Sequence, residues 1–329
     1  MSRARSQAAV ALCVLASAAA DAGWVLEHEE VFANRTALDA SYWELERGMY
    51  RNRESQYYTD ANVAVRNGAL VIEARREEVR NEFHVPGSSA FRTRGRAARY
   101  TSGAIVSRRP LHFGKVEVVA RSPGGAGVWP AIWLVHESGT QYGEIDLHES
   151  VGKHPDTSFA AVHFGREART RKHFNASRVV KGFEGSWRTH TLEWTPDRIR
   201  ILLDGQPLFA FDPEQAKTGG LDPLRMPMRL RINLALGGSW GGAIDDTKLP
   251  ARFEIASVRV WRWDRDAPAD AGGAAGAAGA AGAPARDDEL SPATGAPAAS
   301  PVPGEAPNPG ERTRELPQGD ERQRRRWSR

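Results

Sequence analysis

The stretch Gly143-Glu144-Ile145-Asp146-Leu147-His148-Glu149 places three carboxylates within six residues of apolar, β-favouring sequence. Successive side chains of a strand point to opposite faces, so Glu144 and Asp146 share a face, whereas Glu149 points away. One extra residue near Leu147, a β-bulge, would return Glu149 to their side. The spacing therefore predicts either three aligned carboxylates across a bulge or, as the alternative for an arbitrary string of this kind, a solvated strand without a site.

The sequence around this stretch alternates short apolar runs with Gly, Pro, Asp and Asn. Two turn dipeptides, Asn67-Gly68 and Asp204-Gly205, stand where hairpins would join neighbouring runs. We find no long helical period. Many short strands at regular spacing predict an all-β fold, a sandwich of two antiparallel sheets, formed by residues 23–264 as one domain.

The two ends of the chain differ from this middle part. Residues 1–22 combine Arg3 and Arg5 with an apolar run and a small-residue cleavage pattern, which is typical of a secretory signal peptide. Cys13, the single cysteine, lies in this segment, so we expect an exported mature protein without a disulfide. Residues 265–329 are rich in Ala, Gly and Pro and end in an Arg-rich run, which predicts a disordered tail.

Charge and hydropathy limit the class of partner. The 329 residues carry 45 Lys and Arg against 41 Asp and Glu, a net charge of +4. Such a small surplus creates no field that favours nucleic acid, so we expect an uncharged partner. The apolar run near the N-terminus is too short to span a bilayer, and we expect a monomer without a membrane span.

The chemistry that suits neighbouring carboxylates is the hydrolysis of glycosidic bonds. In the retaining mechanism one carboxylate attacks the sugar, while a second donates a proton and later activates water. A middle carboxylate would help to keep one group protonated, since crowded like charges push pKa values apart. Aromatic rings that could stack on sugars are present at Trp129, Trp133 and Trp240, although a single tryptophan is more often part of a core.

Seven motifs in register resemble glycoside hydrolase family 16, and most closely its laminarinase-like endo-β-1,3-glucanases. They span the whole predicted domain and comprise Tyr100-Thr101-Ser102-Gly103, Gly127-Val128-Trp129-Pro130-Ala131-Ile132-Trp133-Leu134, residues 143–149, Leu192-Glu193-Trp194-Thr195-Pro196-Asp197, Asp204-Gly205, Asn233-Leu234-Ala235-Leu236-Gly237-Gly238-Ser239-Trp240 and Val258-Arg259-Val260. The resemblance implies a concanavalin A-like jelly roll with a substrate cleft across its concave sheet. It also implies a retaining mechanism.

Carried onto this sequence, the resemblance implies Glu144 as nucleophile, Asp146 as assisting carboxylate and Glu149 as acid/base. It also implies contacts with the sugar chain from eight further residues: Trp129, Trp133, His163, Asn52, Glu54, Gln56, Asn233 and Trp240. The six-residue carboxylate motif is similar to the bulged laminarinase form rather than to the shorter form of lichenases.

Two departures from the family pattern concern a metal and a histidine. The family's structural calcium often uses an Asp at the position that Ala256 occupies here, so one side-chain ligand is missing. We therefore expect no required cofactor and leave a structural calcium open. His148 stands where the family usually has an apolar residue, and its place at the bulge is interpreted as a solvent-side substitution.

The leading hypothesis is a secreted endo-acting glucanase that cuts β-1,3 or mixed β-1,3/1,4 bonds of laminarin-like glucans. One alternative is an agarase- or carrageenase-like galactan hydrolase of the same family. A transglycosylase would use the same residues. A non-catalytic glucan-binding module is a different class, and such proteins are expected to lack the carboxylates that are all present here.

Overall fold

The computed structural model describes residues 23–137 and 140–266. The predicted signal peptide and nearly all of the predicted tail lie outside the described residues. Two short α-helices, α1 (Phe91–Arg94) and α2 (Gly238–Gly241), have four residues each. Among the described residues, no helix has the length and apolar character needed to cross a lipid bilayer.

Strands make up most of the described chain. In chain order they are β1 (Trp24–Val31), β2 (Trp43–Leu45), β3 (Gln56–Tyr58), β4 (Val63–Arg66), β5 (Ala69–Ala74), β6 (Val79–Arg80), β7 (Ala97–Ala98), β8 (Tyr100–Ser102), β9 (Ala104–Ser107), β10 (Gly114–Arg121), β11 (Val128–Glu137), β12 (Tyr142–Glu149), β13 (Thr157–Gly165), β14 (Lys172–Val179), β15 (Trp187–Thr195), β16 (Arg198–Leu203), β17 (Gln206–Phe211), β18 (Arg229–Leu236) and β19 (Ala251–Trp263). Short 3₁₀ helices span Phe32–Asn34, Asp60–Asn62, Ala168–Thr170, Pro213–Ala216, Pro223–Arg225 and Asp246–Lys248.

Two large antiparallel sheets form the sandwich that the sequence predicts, and this fold class is confirmed. One sheet has the strand order β17-β16-β15-β10-β19-β5-β4, with β1 beside β19. The other has the order β14-β13-β12-β11-β18-β9-β2. Side chains from both sheets interleave in one core, in which Ile145, Leu134, Trp194 and Phe253 are fully buried. Because burial alternates along β10, that strand turns one face to the core and the other outward.

The two predicted hairpin turns occur as expected. Asn67 and Gly68 join β4 to β5 with φ values of 54° and 75°, and Asp204 and Gly205 join β16 to β17 with 51° and 74°. Positive φ at both central residues is the requirement of a type I′ turn, which matches the twist of the flanking strands. Asn, Asp and Gly are the residues that tolerate this conformation.

The predicted bulge in β12 is present. On the β11 side, Ile132 pairs with His148 and Trp133 with Asp146, which leaves Leu147 without an opposite residue. On the β13 side, the register also shifts between Asp146 and Glu149. Since β12 is hydrogen-bonded on both sides near the middle of its sheet, the alternative of a solvated edge strand is wrong.

His148 requires a correction, because the sequence interpretation placed it on the solvent side. The bulge turns both Leu147 and His148 toward the interior, and both are 0% exposed. The imidazole contacts Ser122 Oγ at 2.8 Å through Nε2 and Ser158 Oγ at 3.0 Å through Nδ1. Its ring also stacks on His190, with a centroid distance of 4.1 Å. Ser122 follows β10 of the opposite sheet, so His148 links the two sheets directly behind the carboxylates.

Candidate active site

The three carboxylates of β12 point into one cavity on the outer face of the seven-stranded sheet. Because of the bulge, Glu144, Asp146 and Glu149 all line this cavity of about 150 Å³. Glu144 is 9% exposed and Asp146 only 3%. The other lining residues come from the neighbouring strands and two loops: Arg51, Asn52, Glu54, Trp129, Ala131, Trp133, Tyr142, Ala168, Arg171, Asn233 and Ala235.

Glu149 lies in an environment that favours its neutral form. Burial raises its pKa well above the usual range for a glutamate, and the negative charge of Asp146 raises it further. Trp129 Nε1–H donates a hydrogen bond to Glu149 Oε1 at 2.9 Å, which favours the carboxylate and partly opposes that rise. Glu149 can therefore carry a proton near neutral pH, as a general acid must.

Glu144 and Asp146 precede the bulge, and His163 contacts both of them. His163 on β13 places Nε2 3.2 Å from Asp146 Oδ2 and 3.6 Å from Glu144 Oε1. The Tyr142 hydroxyl donates a hydrogen bond to Glu144 Oε2. Burial, followed by the charge of Glu144, raises the pKa of Asp146 well above its ordinary value. Burial lowers the pKa of His163, which favours the neutral imidazole.

Trp129 and Trp133, both on β11, form apolar walls of the cavity. Trp133 donates from Nε1 to Asn233 Oδ1 at 2.7 Å. The guanidinium groups of Arg51 and Arg231 lie 4.9 and 5.1 Å from the centroid of the Trp133 ring. These contacts hold the indole in one orientation, as a stacking platform requires.

The third predicted platform, Trp240 on α2, stands beside the cavity rather than on its lining. Its ring packs edge-on against Trp129, with a centroid distance of 5.3 Å, and against Phe159 at 5.1 Å. The side chain is only partly buried. Trp240 therefore supports Trp129 and extends the aromatic surface outward.

The loop before β3 contributes a network centred on the buried carboxylate of Glu54. Asn52 Nδ2 donates to Glu54 Oε1 at 3.1 Å, and Gln56 Nε2 donates to Glu54 Oε2 at 2.7 Å. The Tyr58 hydroxyl accepts from Asn233 Nδ2 at 3.1 Å and donates to Glu54 Oε2 at 3.4 Å. Burial raises the pKa of Glu54.

Some of the predicted sugar-binding residues of this network line the cavity, and others lie outside the lining. Asn52, Glu54 and Asn233 line the cavity, in agreement with their predicted contact with sugar. Gln56 is 1% exposed, and its Oε1 accepts from the backbone N–H of Leu236 at 2.8 Å. The structure therefore places Gln56 behind the cavity, where it orients Glu54. His163 contacts the carboxylates from the neighbouring strand β13, opposite Glu144, and is absent from the lining.

Two places in the described structure bear on metal binding. Of the described residues, Glu144, Asp146 and His163 form a group whose ligand atoms lie within 4.8 Å of one another. Glu144 and Asp146 line the carboxylate cavity, and His163 contacts both of them. At the position of the family's calcium-binding Asp, Ala256 occupies an irregular part of β19, between the pairs of Val119 with Ser257 and of Ala120 with Ile255. A methyl group cannot bind calcium, so this position does not fit the metal.

Three lining residues with polar side chains, Arg51, Tyr142 and Arg171, were not among the predicted site residues. Tyr142 stands two residues before Glu144 on the same strand, so period-2 alternation could have placed its side chain on the same face. Arg51 and Arg171 lie outside the large sheets, and no periodicity marks them. The cavity therefore combines three carboxyl groups, of which Asp146 and Glu149 have raised pKa values, with flat aromatic walls, and His163 contacts two of these carboxyls. This combination defines a glycoside hydrolase.

Comparison with known proteins agrees with this definition. A sequence model of glycosyl hydrolases family 16 matches residues 51–251, and the chain belongs to this family. A β-glucanase of Rhodothermus marinus is 32% identical over 263 residues, which cover 73% of this chain and 86% of the relative.

Solved structures give the same result. The catalytic domain of an endo-1,3-β-glucanase (laminarinase) from Thermotoga petrophila is 29% identical, with a TM-score of 0.63 over 73% of this chain and 98% of that domain. A structure from work on endo-acting O-glycanases of the human gut microbiota is 27% identical, with a TM-score of 0.68 over 74% and 92% of the two chains. The predicted resemblance to the laminarinase-like members of the family is confirmed.

Proposed function

We propose that this protein is an endo-acting, retaining glucanase that cleaves internal β-1,3 or mixed β-1,3/1,4 bonds of laminarin-like glucans. The observation that carries the proposal is the contrast between two carboxyls of one bulged strand. Glu149 is partly buried and has a raised pKa, whereas Glu144 accepts a hydrogen bond from Tyr142 and lies 3.6 Å from Nε2 of His163. One group is thus suited to donate a proton and the other to attack.

The proposed reaction has two steps. Glu144 attacks the anomeric carbon, and the bond to the leaving sugar oxygen breaks as Glu149 gives that oxygen its proton. The resulting Glu149 carboxylate then takes a proton from water. The water oxygen attacks the same carbon and releases Glu144, so the configuration is retained after two inversions.

In this proposal the other cavity residues either position the sugar chain or influence the protonation of the reacting carboxyls. Asp146 assists Glu144 and, through its negative charge, helps to keep Glu149 protonated. Trp129 and Trp133 provide faces for sugar rings, with Asn52, Glu54 and Asn233 as polar partners. The names of the relatives support a glucan substrate, since both the Rhodothermus and the Thermotoga proteins are described as glucanases.

A galactan or mucin-type glycan is the second candidate substrate. Two arginines, Arg51 and Arg171, line the cavity, and a guanidinium can bind a sulfate or carboxylate on a sugar. The structural similarity to the gut O-glycanase also favours this candidate. A transglycosylase would share the first step and differ only in the acceptor of the second.

A product assay with laminarin, lichenan, agarose and carrageenan tests these candidates together. We expect oligosaccharides of intermediate length from laminarin at early times, because an endo-acting enzyme cuts inside the chain. Release from agarose or carrageenan alone would favour the galactan candidate. Binding without any cleavage would contradict the proposal in favour of a binding module.

Replacement of Trp129 tests the assignment of Glu149 as the proton donor. Trp129→Phe removes the N–H that stabilises the Glu149 carboxylate, so the pKa of Glu149 should rise. We expect the basic limb of the pH profile of kcat/KM to move to higher pH, since the acid keeps its proton longer. Trp240→Phe keeps an aromatic ring and touches no carboxylate, and it should leave that limb in place. An unchanged limb in Trp129→Phe would contradict the assignment of Glu149 as the acid.

We also propose that residues 1–22 direct export and are removed. N-terminal sequencing of the protein recovered from medium or periplasm tests this, and a mature N-terminus near residue 23 is expected. An intact Met1 in the exported protein would contradict it. No calcium is included in the proposal, since Ala256 provides no ligand.

A further inference from the structure

We propose that Arg171 is a positioning residue of the active site, which fixes the proton of His163 on Nε2 and thereby keeps an N–H, rather than a lone pair, on the side of the ring that faces Glu144 and Asp146. The inference rests on the proposed function, because it concerns the same carboxylates. Arg171 lies between the 3₁₀ helix Ala168–Thr170 and β14, and its side chain reaches the cavity lining.

The tautomer of His163 follows from hydrogen-bond chemistry. Arg171 Nε lies 3.1 Å from His163 Nδ1 in hydrogen-bonding geometry. A guanidinium can only donate, so Nδ1 must accept through its lone pair. A neutral imidazole with a bare Nδ1 carries its single proton on Nε2. Burial of the ring lowers the pKa of His163 and so keeps the imidazole neutral.

The proton on Nε2 faces the two carboxylates. Nε2 lies 3.2 Å from Asp146 Oδ2 and 3.6 Å from Glu144 Oε1. Asp146 Oδ2 is buried and has no well-aligned hydrogen-bond donor among the described residues, so this oblique N–H contact is an electrostatic one. In the other tautomer a lone pair would face these oxygens and repel them. Arg171 excludes that arrangement.

Arg171 is itself held in place at the rim of the cavity. Its Nη1 donates to the backbone oxygen of Ala168 at 2.7 Å. The guanidinium carbon lies 5.7 Å from the centroid of the Tyr142 ring, whose hydroxyl donates to Glu144. Arg171 therefore acts on Glu144 along two routes, one through His163 and one through Tyr142.

The charges around His163 determine how its titration responds to loss of Arg171. The titratable groups that face the ring are the carboxylates of β12 and two groups of the β14 segment: Glu144, Asp146, Glu149, Arg171 and His173. The positive charge of Arg171 lowers the pKa of His163, whereas Glu144 and Glu149 raise it. Removal of Arg171 should therefore raise the pKa of His163 and allow the imidazolium to form at higher pH.

The test uses Arg171→Met in the full chain, because methionine has a similar length but neither charge nor donor. In the unmodified protein, ¹⁵N NMR of the His163 ring should show a protonated Nε2 and an unprotonated Nδ1. In Arg171→Met we expect mixed tautomers and a raised pKa of His163. On laminarin, kcat should fall about tenfold with little change in KM, because a misplaced reacting group lowers turnover more than binding. The acid limb should move to higher pH.

Two further variants make the result specific. Arg171→Lys keeps the charge and a donor, so it should restore part of kcat and most of the acid limb. Arg178→Met removes a partly exposed arginine of β14 that donates to the backbone oxygen of Pro207, and it should change none of these quantities. An unaltered His163 tautomer and kcat in Arg171→Met would overturn the proposal. The NMR result needs no substrate, so it stands apart from the proposed function, which fails only if the unmodified protein cleaves no glycan.

Discussion

Glu144→Gln is expected to lower kcat for laminarin by about 10³-fold or more, while binding of the polysaccharide stays measurable. The amide has the size of the carboxylate but cannot attack the anomeric carbon. Because Tyr142 and His163 both contact Glu144, the amide can remain in place, and the fold should be unaffected. Reducing-end release gives the turnover, and affinity electrophoresis in laminarin gels gives the binding.

Glu117→Gln is the matched control for this variant. Glu117 lies on β10 of the other sheet, paired with Arg259. We expect its turnover to equal that of the unmodified enzyme. Near-normal turnover of Glu144→Gln would show that another residue is the nucleophile.

His148→Leu is expected to destabilise the protein by about 2 kcal/mol or more at pH 7. The substitution removes both hydrogen bonds of the imidazole and leaves the hydroxyls of Ser122 and Ser158 buried without that partner. An unsatisfied buried polar group costs about 1–3 kcal/mol. Urea unfolding of both proteins at pH 7 measures the difference in free energy of unfolding.

The free energy of unfolding of His148→Leu should fall less steeply at acid pH than that of the unmodified protein. Burial, followed by the neighbouring His190, lowers the pKa of His148 well below 6.5, so the folded protein keeps this histidine neutral. The unfolded chain binds a proton below about pH 6.5, so stability is lost as the pH falls from there toward the folded pKa. A leucine side chain does not titrate, so the variant lacks this loss of stability at low pH. The difference between the two proteins should therefore shrink by about 1.4 kcal/mol per pH unit below 6.5.

One cancellation and one control variant separate the titration of His148 from general acid unfolding. The raised pKa values of Asp146 and Glu149 act in the opposite direction, but both proteins contain these groups, so they cancel in the difference. His154→Leu replaces an exposed histidine outside the His148 network and is measured as the control at the same pH values. If the difference between the unmodified protein and His148→Leu stayed constant with pH, His148 would not be held neutral in the fold.

The fold could be predicted largely from local patterns. Asn67-Gly68 and Asp204-Gly205 specify turns through the backbone conformations that these residues tolerate. The odd spacing of Glu144 and Glu149 predicts the bulge, because side-chain direction alternates along a strand. Such features depend on residues close in sequence, and the structure contains each of them.

The rest of the site depends on contacts between residues far apart in sequence. His148 was misplaced because alternation alone could not show that the bulge turns two consecutive side chains inward. The hydrogen bonds of Asn233 with Tyr58, and of Trp133 with Asn233, form only after β3, β11 and β18 meet. Arg171 lies in a connection without periodic pattern, so nothing in the sequence relates it to His163.

Trapping of the covalent intermediate tests the central claim most directly. A 2-deoxy-2-fluoro laminaribioside with a good leaving group should form the glycosyl-enzyme and hydrolyse slowly, because fluorine destabilises the positively charged transition state of both steps. Peptide mapping by mass spectrometry then locates the sugar. We predict a single label on Glu144 and none on Glu149. A label on another residue, or inactivation without any covalent sugar, would contradict the account.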